Sequence, residues 1–375
     1  MPGNNKLKFL EHSSSDFASK HIAPIAADIE QCGNIPANLW LKMGNHGLLG
    51  ITAPTKHGGL NLGYRAHCIA MQALSAASPS LGLSYAAHSN LCINQICLHG
   101  TEQQQKKYLP ALIEGTKIGA LAISEVTAGS DAMGMQLKAK QKKSSYILSG
   151  RKSWVTNGPD ADVIIVYAKS ATKNLTAFIV SSDMPGVIKT NKIDKIGMKG
   201  SATCEIIFDN VEVPSTNILG EVHKGTKVLM EGLNYERLVL AAGPIGIMQA
   251  AIEHTLQYIR ERKQFGTNIA KFQLIQEKIA QMYTSYNASL AYLNAVAEKC
   301  DEGIIDRKNA ASVILFASEK ATQVASDAIQ CFGGNGYTQN FPVSRLLQDA
   351  KLYEIGAGTT EIRKILIATE LLNDS

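Results

Sequence analysis

Residues 162–182 read DVIIVYAKSATKNLTAFIVSS, two apolar runs of β type with a short polar interval between them. Outward from this pair lie IGALAIS (118–124) and SSYILSG (144–150) on one side and CEIIFDNVEVP (204–214) on the other. Turn clusters NGPD (157–160) and DMPG (183–186) fall among them. Runs this short, bounded by Gly, Pro, Asn and Asp, read as strands. Parallel neighbours need long crossovers and no helical pattern interrupts the runs, so an antiparallel β-barrel or sandwich is expected over 119–224.

On both flanks the period changes to that of a helix. Apolar residues recur three and four apart in NLWLKMGNHGLLG (38–50), YRAHCIAMQALSAA (64–77) and SLGLSYAAHSNLCINQICLHG (80–100). Thr101 with Gln104 predicts a capping box at the start of the next helix. Helical patterns return over 226–262, 271–301, 306–331 and 359–372. Pro244 is expected to kink the first, and Gly243, Gly246 and Ala250 give it a small-residue face for close packing. The expectation is an α+β multidomain chain packed as one body. It comprises an N-terminal helical domain (1–118), a middle β domain (119–224) and a C-terminal domain resembling a four-helix bundle (225–375).

The 37 basic and 32 acidic residues leave a formal +5, too small and dispersed for nucleic acid but compatible with a phosphate-bearing ligand. No apolar run approaches the ~20 residues of a membrane span, and MPGNNKLKFL has no signal-peptide or transit pattern. A soluble intracellular protein is expected, of a bacterial cytoplasm more than a mitochondrial matrix. Seven cysteines without CxxC spacing read as reduced packing residues, and nine histidines without paired ligand spacing argue against a metal.

Two glycine clusters do not read as nucleotide loops. Gly220 to Lys227 carries Thr226-Lys227 where a phosphate loop needs Lys-Thr, and no strand-loop-helix frame is expected there; Gly333 to Gly336 lacks a βαβ unit. Four other segments are chemically richer. Leu121 to Asp131 runs from a strand into a Thr/Gly/Ser turn, which suits a polar ring edge or a phosphate as well as a plain loop. Trp154 and Thr156 share one face of a strand and could flank a flat ring or simply pack. Glu236, in GLNYERLVLAAGPIGIMQA near the start of a helix, reads either as a partner of the helix dipole or as a base in an apolar pocket. Arg262, with Phe265, Gly266 and Gln273, joins two helices and gains a role only with a phosphate partner.

Taken jointly, AISEVTAGSD, KSWVTNG, NYERLVLAAGPIGIMQA, RKQFG with FQLIQEKIA, IQCFGGNGY and DAKLYEIGAGTTEIR resemble the acyl-CoA dehydrogenase family, in its order and across nearly the whole chain. The C-terminal half looks closest to the family's isovaleryl branch. The resemblance implies FAD as cofactor, with Leu121, Ile123, Ser124, Gly129, Ser130, Trp154 and Thr156 along it. It further implies that Arg262, Phe265, Gln273, Gln330, Gly333 and Gly334 serve an FAD bound mainly by a neighbouring subunit, while Thr359 and Glu361 approach the cofactor within the chain. That arrangement implies a homotetramer, a dimer of dimers. Ser130, Asn234, Tyr235, Arg237, Ala357 and Gly358 are the implied substrate contacts.

Many family members carry the catalytic glutamate in a C-terminal motif whose matching position here is Ala357. The isovaleryl and long-chain branches place it instead on the helix that holds Glu236. By the resemblance Glu236 is therefore the base, the Ala357 N–H supports the thioester oxygen, and small Gly356 and Ala357 leave room for a branched acyl chain. The implied reaction is α,β-dehydrogenation of a short branched acyl-CoA, isovaleryl-CoA in leucine breakdown, with electrons passed to electron-transferring flavoprotein. A longer-chain dehydrogenase or an acyl-CoA oxidase on the same scaffold is the alternative; a non-catalytic scaffold is disfavoured because base and cofactor motifs occur together.

Overall fold

The computed structural model describes residues 2–171 and 174–373. The N-terminal helices are α1 (Pro2–Phe17), α2 (Ala26–Cys32), α3 (Ala37–Asn45), α4 (Tyr64–Ala77), α5 (Pro79–Ala86), α6 (Gln95–His99) and α7 (Glu102–Ile113), with a π-helical stretch, Ala87–Asn94, between α5 and α6. The capping box forms as the sequence predicts: the Thr101 hydroxyl accepts from the Gln104 amide, and the Gln104 side chain accepts from the Thr101 N–H.

Strands β1 (Gly119–Ala122), β2 (Lys138–Lys142), β3 (Ser145–Thr156), β4 (Val163–Lys169), β5 (Leu175–Ser181), β6 (Val187–Lys189), β7 (Thr203–Pro214) and β8 (Ile218–Leu219) make one sheet. Its order is β6-β7-β3-β2-β4-β5-β8, with β1 beside β4. The pairing is mostly antiparallel, but β1 and β4 run parallel, with Gly119 opposite Val163 and Ala122 opposite Val166. This departs from the all-antiparallel expectation because the β2–β3 hairpin itself supplies the crossover that was sought in a helix.

The opening stretch is apolar throughout because β4 and β5 are buried on both faces. Val163, Ile165, Tyr167, Ala177 and Ile179 join the core shared with the helices. Their neighbours Ile164, Val166, Ala168, Phe178 and Val180 fill a second core inside the sheet. Each fully buried Val or Ile contributes roughly 1.5–3 kcal/mol, so the strand pair anchors both halves of the molecule.

The C-terminal part holds α8 (Gly225–Leu240), α9 (Ala242–Glu261), a small hairpin of β9 (Lys263–Gln264) and β10 (Thr267–Asn268), then α10 (Gln273–Asp301), α11 (Arg307–Phe332), α12 (Pro342–Leu352) and α13 (Thr360–Asn373). Pro244 cannot donate to the Leu240 carbonyl, and the long helical pattern divides at Ala241. The small-residue face packs closely: a Cβ on Gly243 would lie 2.2 Å from the Tyr353 hydroxyl, and one on Gly246 would lie 2.5 Å from the Gln72 carbonyl. Helix α12 was not expected from the sequence; it is short and opens with Pro342 after an exposed loop.

Two smaller expectations change. Cys32 is exposed, so it is not a packing residue like Cys68, Cys92, Cys204, Cys300 and Cys331. The glycine loop after β8 does join a strand to a helix, though its Thr226-Lys227 order still does not fit a phosphate loop. Among the described residues no group of three metal-binding side chains forms, and no helix is long and apolar enough to cross a membrane.

Candidate active site

Glu236 lies toward the C-terminal end of α8, just before its last turn and not near a helix start, because the helix ends where Pro244 removes a donor. A carboxylate there gains nothing from the helix dipole, whose negative end it meets. It is 9% exposed, and among the described residues no hydrogen bond reaches its side chain. Burial pushes its pKa up to about 7, against the opposing pull of the Arg237 and Arg363 guanidinium groups. A carboxylate so poised accepts a proton near neutral pH.

The wall opposite α8 comes from the π-helical stretch and its continuation. Asn94 accepts from the Tyr64 hydroxyl at 3.0 Å, and Tyr64 stacks on Tyr235 with ring centroids 4.4 Å apart. Gln95 accepts from the Tyr167 hydroxyl at 2.5 Å, while its own amide nitrogen is buried without a partner. A Cβ at Gly232, one turn before Glu236, would lie 2.4 Å from that nitrogen, so a larger residue there would displace the Gln95 side chain. Asn234 keeps a buried carbonyl oxygen without a partner, and Arg237, almost wholly buried, keeps Nε and Nη1 unpaired.

The turn after α12 closes this region. Ala357 and Gly358 are both left-handed, at φ +58° and +91°. Arg237 Nη2 lies 3.9 Å from where a Cβ on Gly358 would stand, which places the turn beside α8. Among the described residues, neither the Ala357 nor the Gly358 amide donates a hydrogen bond. Thr359 and Glu361 follow at the start of α13, where the Thr359 hydroxyl accepts from the Ile362 amide at 3.4 Å and Glu361 is exposed.

Trp154 departs from the regular strand expected of it. The register of β3 on β7 shifts between Lys152 and Val155, and Trp154 takes φ +55° with its side chain 54% exposed. Thr156 is half-buried beyond it, and the Ser153 hydroxyl is buried without a partner. The Ser153 amide donates to the Ser124 carbonyl at 2.8 Å, so the end of the β1 segment, with half-buried Leu121, Ile123 and Ser124, is knit beside Trp154. Beneath it Lys152, without solvent exposure, donates to the Ile123 carbonyl at 2.7 Å and to Glu125 at 2.9 Å. Gly129 and Ser130 are exposed in the turn that follows, and nothing lies within 4 Å of a Cβ built on Gly129.

Arg262, Phe265, Gln273, Gln330, Gly333 and Gly334 form a separate, exposed set at the β9–β10 hairpin and the end of α11. Ile259, Ile269 and Cys331 knit those elements together in a small core of their own. Phe265 is 95% exposed at the hairpin tip. A crevice of about 1130 Å³ lies elsewhere again, between α1, α2, the 192–199 loop, α9 and α12, and holds none of the expected site residues. The buried carboxylate with the raised pKa, Glu236, does not line that crevice.

Four contributors went unread in the sequence: Tyr64, Gln95, Tyr167 and Arg363. A tyrosine in an apolar strand and an arginine in a short helix carry no signal of their own; only the fold turns them toward Glu236.

Family models match the chain three times: acyl-CoA dehydrogenase N-terminal domain over 5–116, middle domain over 120–211 and C-terminal domain over 223–372. The chain is 54% identical over 377 residues to a protein of Arabidopsis thaliana named isovaleryl-CoA dehydrogenase, mitochondrial, covering 99% of this chain and 92% of that one. It is 52% identical to a 2-methylacyl-CoA dehydrogenase, mitochondrial, of Solanum tuberosum, covering 97% and 90%. A solved acyl-CoA dehydrogenase complexed with FAD from Bacillus anthracis superposes with a TM-score of 0.95 at 30% identity, covering 99% of this chain and 67% of that one.

Proposed function

We propose that this chain, which belongs to the acyl-CoA dehydrogenase family, removes hydrogen from the α and β carbons of a short branched acyl-CoA, converting isovaleryl-CoA to 3-methylcrotonyl-CoA. That it is an oxidoreductase acting on acyl-CoA follows from the family. The observation that carries the finer reading is Glu236, buried and without a hydrogen-bond partner, its pKa pushed up to about 7 beside a turn of small residues.

The residues fit FAD. A half-exposed Trp154 ring, the unpartnered Ser153 hydroxyl, and the half-buried Ser124 and Thr156 offer a flat apolar face edged with polar groups. The open backbone at Gly129, Gly333 and Gly334 admits close approach of phosphates. When bound, FAD supplies the two-electron acceptor for the β-hydride.

Glu236 takes the α-proton, and its raised pKa matches that task better than an ordinary carboxylate would. The free Ala357 and Gly358 amides meet the thioester oxygen and stabilise the charge that develops as the proton leaves. Small Gly356 and Ala357 would leave room for a branch at Cβ, and the stacked Tyr64 and Tyr235 would wall the acyl site. The exposed set around Arg262 and Phe265 would reach the FAD of a neighbouring subunit in a homotetramer, and electron-transferring flavoprotein would reoxidise the enzyme.

The 2-methylacyl relative favours one second reading, a branch at Cα in place of Cβ. Anaerobic bleaching of the bound flavin by isovaleryl-, 2-methylbutyryl-, butyryl- and palmitoyl-CoA decides between them. The largest kcat/KM is expected with isovaleryl-CoA; preference for 2-methylbutyryl-CoA moves the branch, and preference for palmitoyl-CoA rejects the short-chain assignment.

A further inference from the structure

Arg363 is the largest side chain in the molecule that is fully buried, and among the described residues no carboxylate stands within ion-pair distance of it. A guanidinium in that position is costly unless its donors are used. It donates through Nη1 to the Tyr353 carbonyl at 2.8 Å and the Ser318 hydroxyl at 3.3 Å, and through Nη2 to the Gly356 carbonyl at 2.5 Å. Two of its three acceptors are thus main-chain oxygens in the turn that carries Ala357. That turn holds a non-glycine residue at φ +58°, a strained conformation that persists only when its surroundings enforce it.

Resting on the function proposed above, we infer that Arg363 is a positioning residue: it clamps the carbonyls of Tyr353 and Gly356, holding the bend at 356–358 against α8 so that the Ala357 and Gly358 amides meet the thioester oxygen beside Glu236. Its burial and its choice of acceptors give this arginine a task that its place in a helix does not disclose. The guanidinium also lies near enough to Glu236 to favour the ionised carboxylate, an effect shared with Arg237. Glu354 of the turn and Glu319 of α11 also act on the Arg363 guanidinium, Arg307 of α11 acts on Arg237, and Tyr167 of β4 lies within the influence of Glu236.

The test uses the FAD-loaded full chain with Arg363→Lys, which keeps the charge and loses the fork, and Ser318→Ala, which removes one acceptor and leaves both carbonyl anchors. For Arg363→Lys, kcat is expected to fall about 10²-fold, the scale of losing an oxyanion donor, with KM within about threefold. The acid limb of the kcat/KM profile should stay in place because the charge remains. Amide hydrogen exchange, measured without substrate, should accelerate about tenfold or more in peptides spanning 353–359 while α8 keeps its protection. Ser318→Ala should move kcat and exchange in the same directions by less.

A folded Arg363→Lys enzyme with unchanged kcat overturns the inference, as does exchange that accelerates equally through all the C-terminal helices. Should Arg363→Lys fail to fold, Ser318→Ala decides, and unaltered exchange at 353–359 then counts against the clamp. Glu236→Gln separates the two levels: activity surviving that change brings down the proposed function, whereas an inactive Glu236→Gln beside a fully active Arg363→Lys brings down the clamp alone.

Discussion

Glu125 and Glu236 expose similarly little surface, 6% and 9%, although Glu236 lies under deeper packing, and the fold treats them in opposite ways. Burial pushes Glu125 up, but the Leu137 and Gln136 amides, at 2.9 and 2.6 Å, and the Lys152 ammonium outweigh it and hold its pKa below the usual value. Burial pulls Lys152 down to about 8, which leaves it charged at neutral pH. Glu236 has none of those donors, and burial dominates. The pair teaches that desolvation alone does not make a base; desolvation without hydrogen-bond satisfaction does. One carboxylate braces the strand end beside Trp154, and the other is left with a raised pKa, as the proposed base requires.

The sharpest way to break this contrast is to remove the reactive group while keeping its shape. Glu236→Gln is expected to retain FAD and bind acyl-CoA, yet to lose dehydrogenation by on the order of 10³-fold or more, read as flavin bleaching in single turnovers. Near-normal bleaching would mean that the proton leaves to some other group and that Glu236 is merely buried.

The converse change makes the braced carboxylate resemble the reactive one. Lys152→Met keeps the apolar stem and leaves Glu125 with two amide donors but no countercharge. Breaking a buried pair from one side typically costs about 3–5 kcal/mol, so the denaturant midpoint should fall accordingly. A loss below about 1 kcal/mol would show that the two amides suffice and that the ammonium is not part of the brace.

How much of this was open to sequence reading depends on whether a feature is local. The capping box at Thr101, the strands 162–182 and the division at Pro244 rest on neighbours along the chain, and the structure agrees with each. The place of Glu236 toward the end of α8 is less legible, because the helical pattern over 226–262 runs on past it and only the break at Ala241 sets where α8 stops. The left-handed bulge at Trp154 was invisible because the pairing register on β7 creates it. Gln95, Tyr167 and Arg363 lay beyond reach for the same reason: their partners are 72, 72 and 10 residues away and meet only after folding.

The contrast also separates the two carboxylates by the sign of their pH dependence. A carboxyl whose pKa is raised on folding stabilises the fold fully below its unfolded value, near 4.5, and loses that contribution as pH rises through its folded value, here about 7. Ionised Glu236 therefore costs the native state about 3 kcal/mol at pH 8 relative to pH 4. Glutamine in its place carries no such cost, so Glu236→Gln should melt a few degrees above the parent enzyme at pH 8, with the gap narrowing toward pH 5. Glu125, with its pKa lowered, contributes in the other direction: its stabilisation is present above the ordinary glutamate range and fades as the solution is acidified below it. Melting curves of the two proteins from pH 5 to 8 read the difference directly, and a gap that does not change with pH would mean that Glu236 keeps an ordinary pKa in the folded chain.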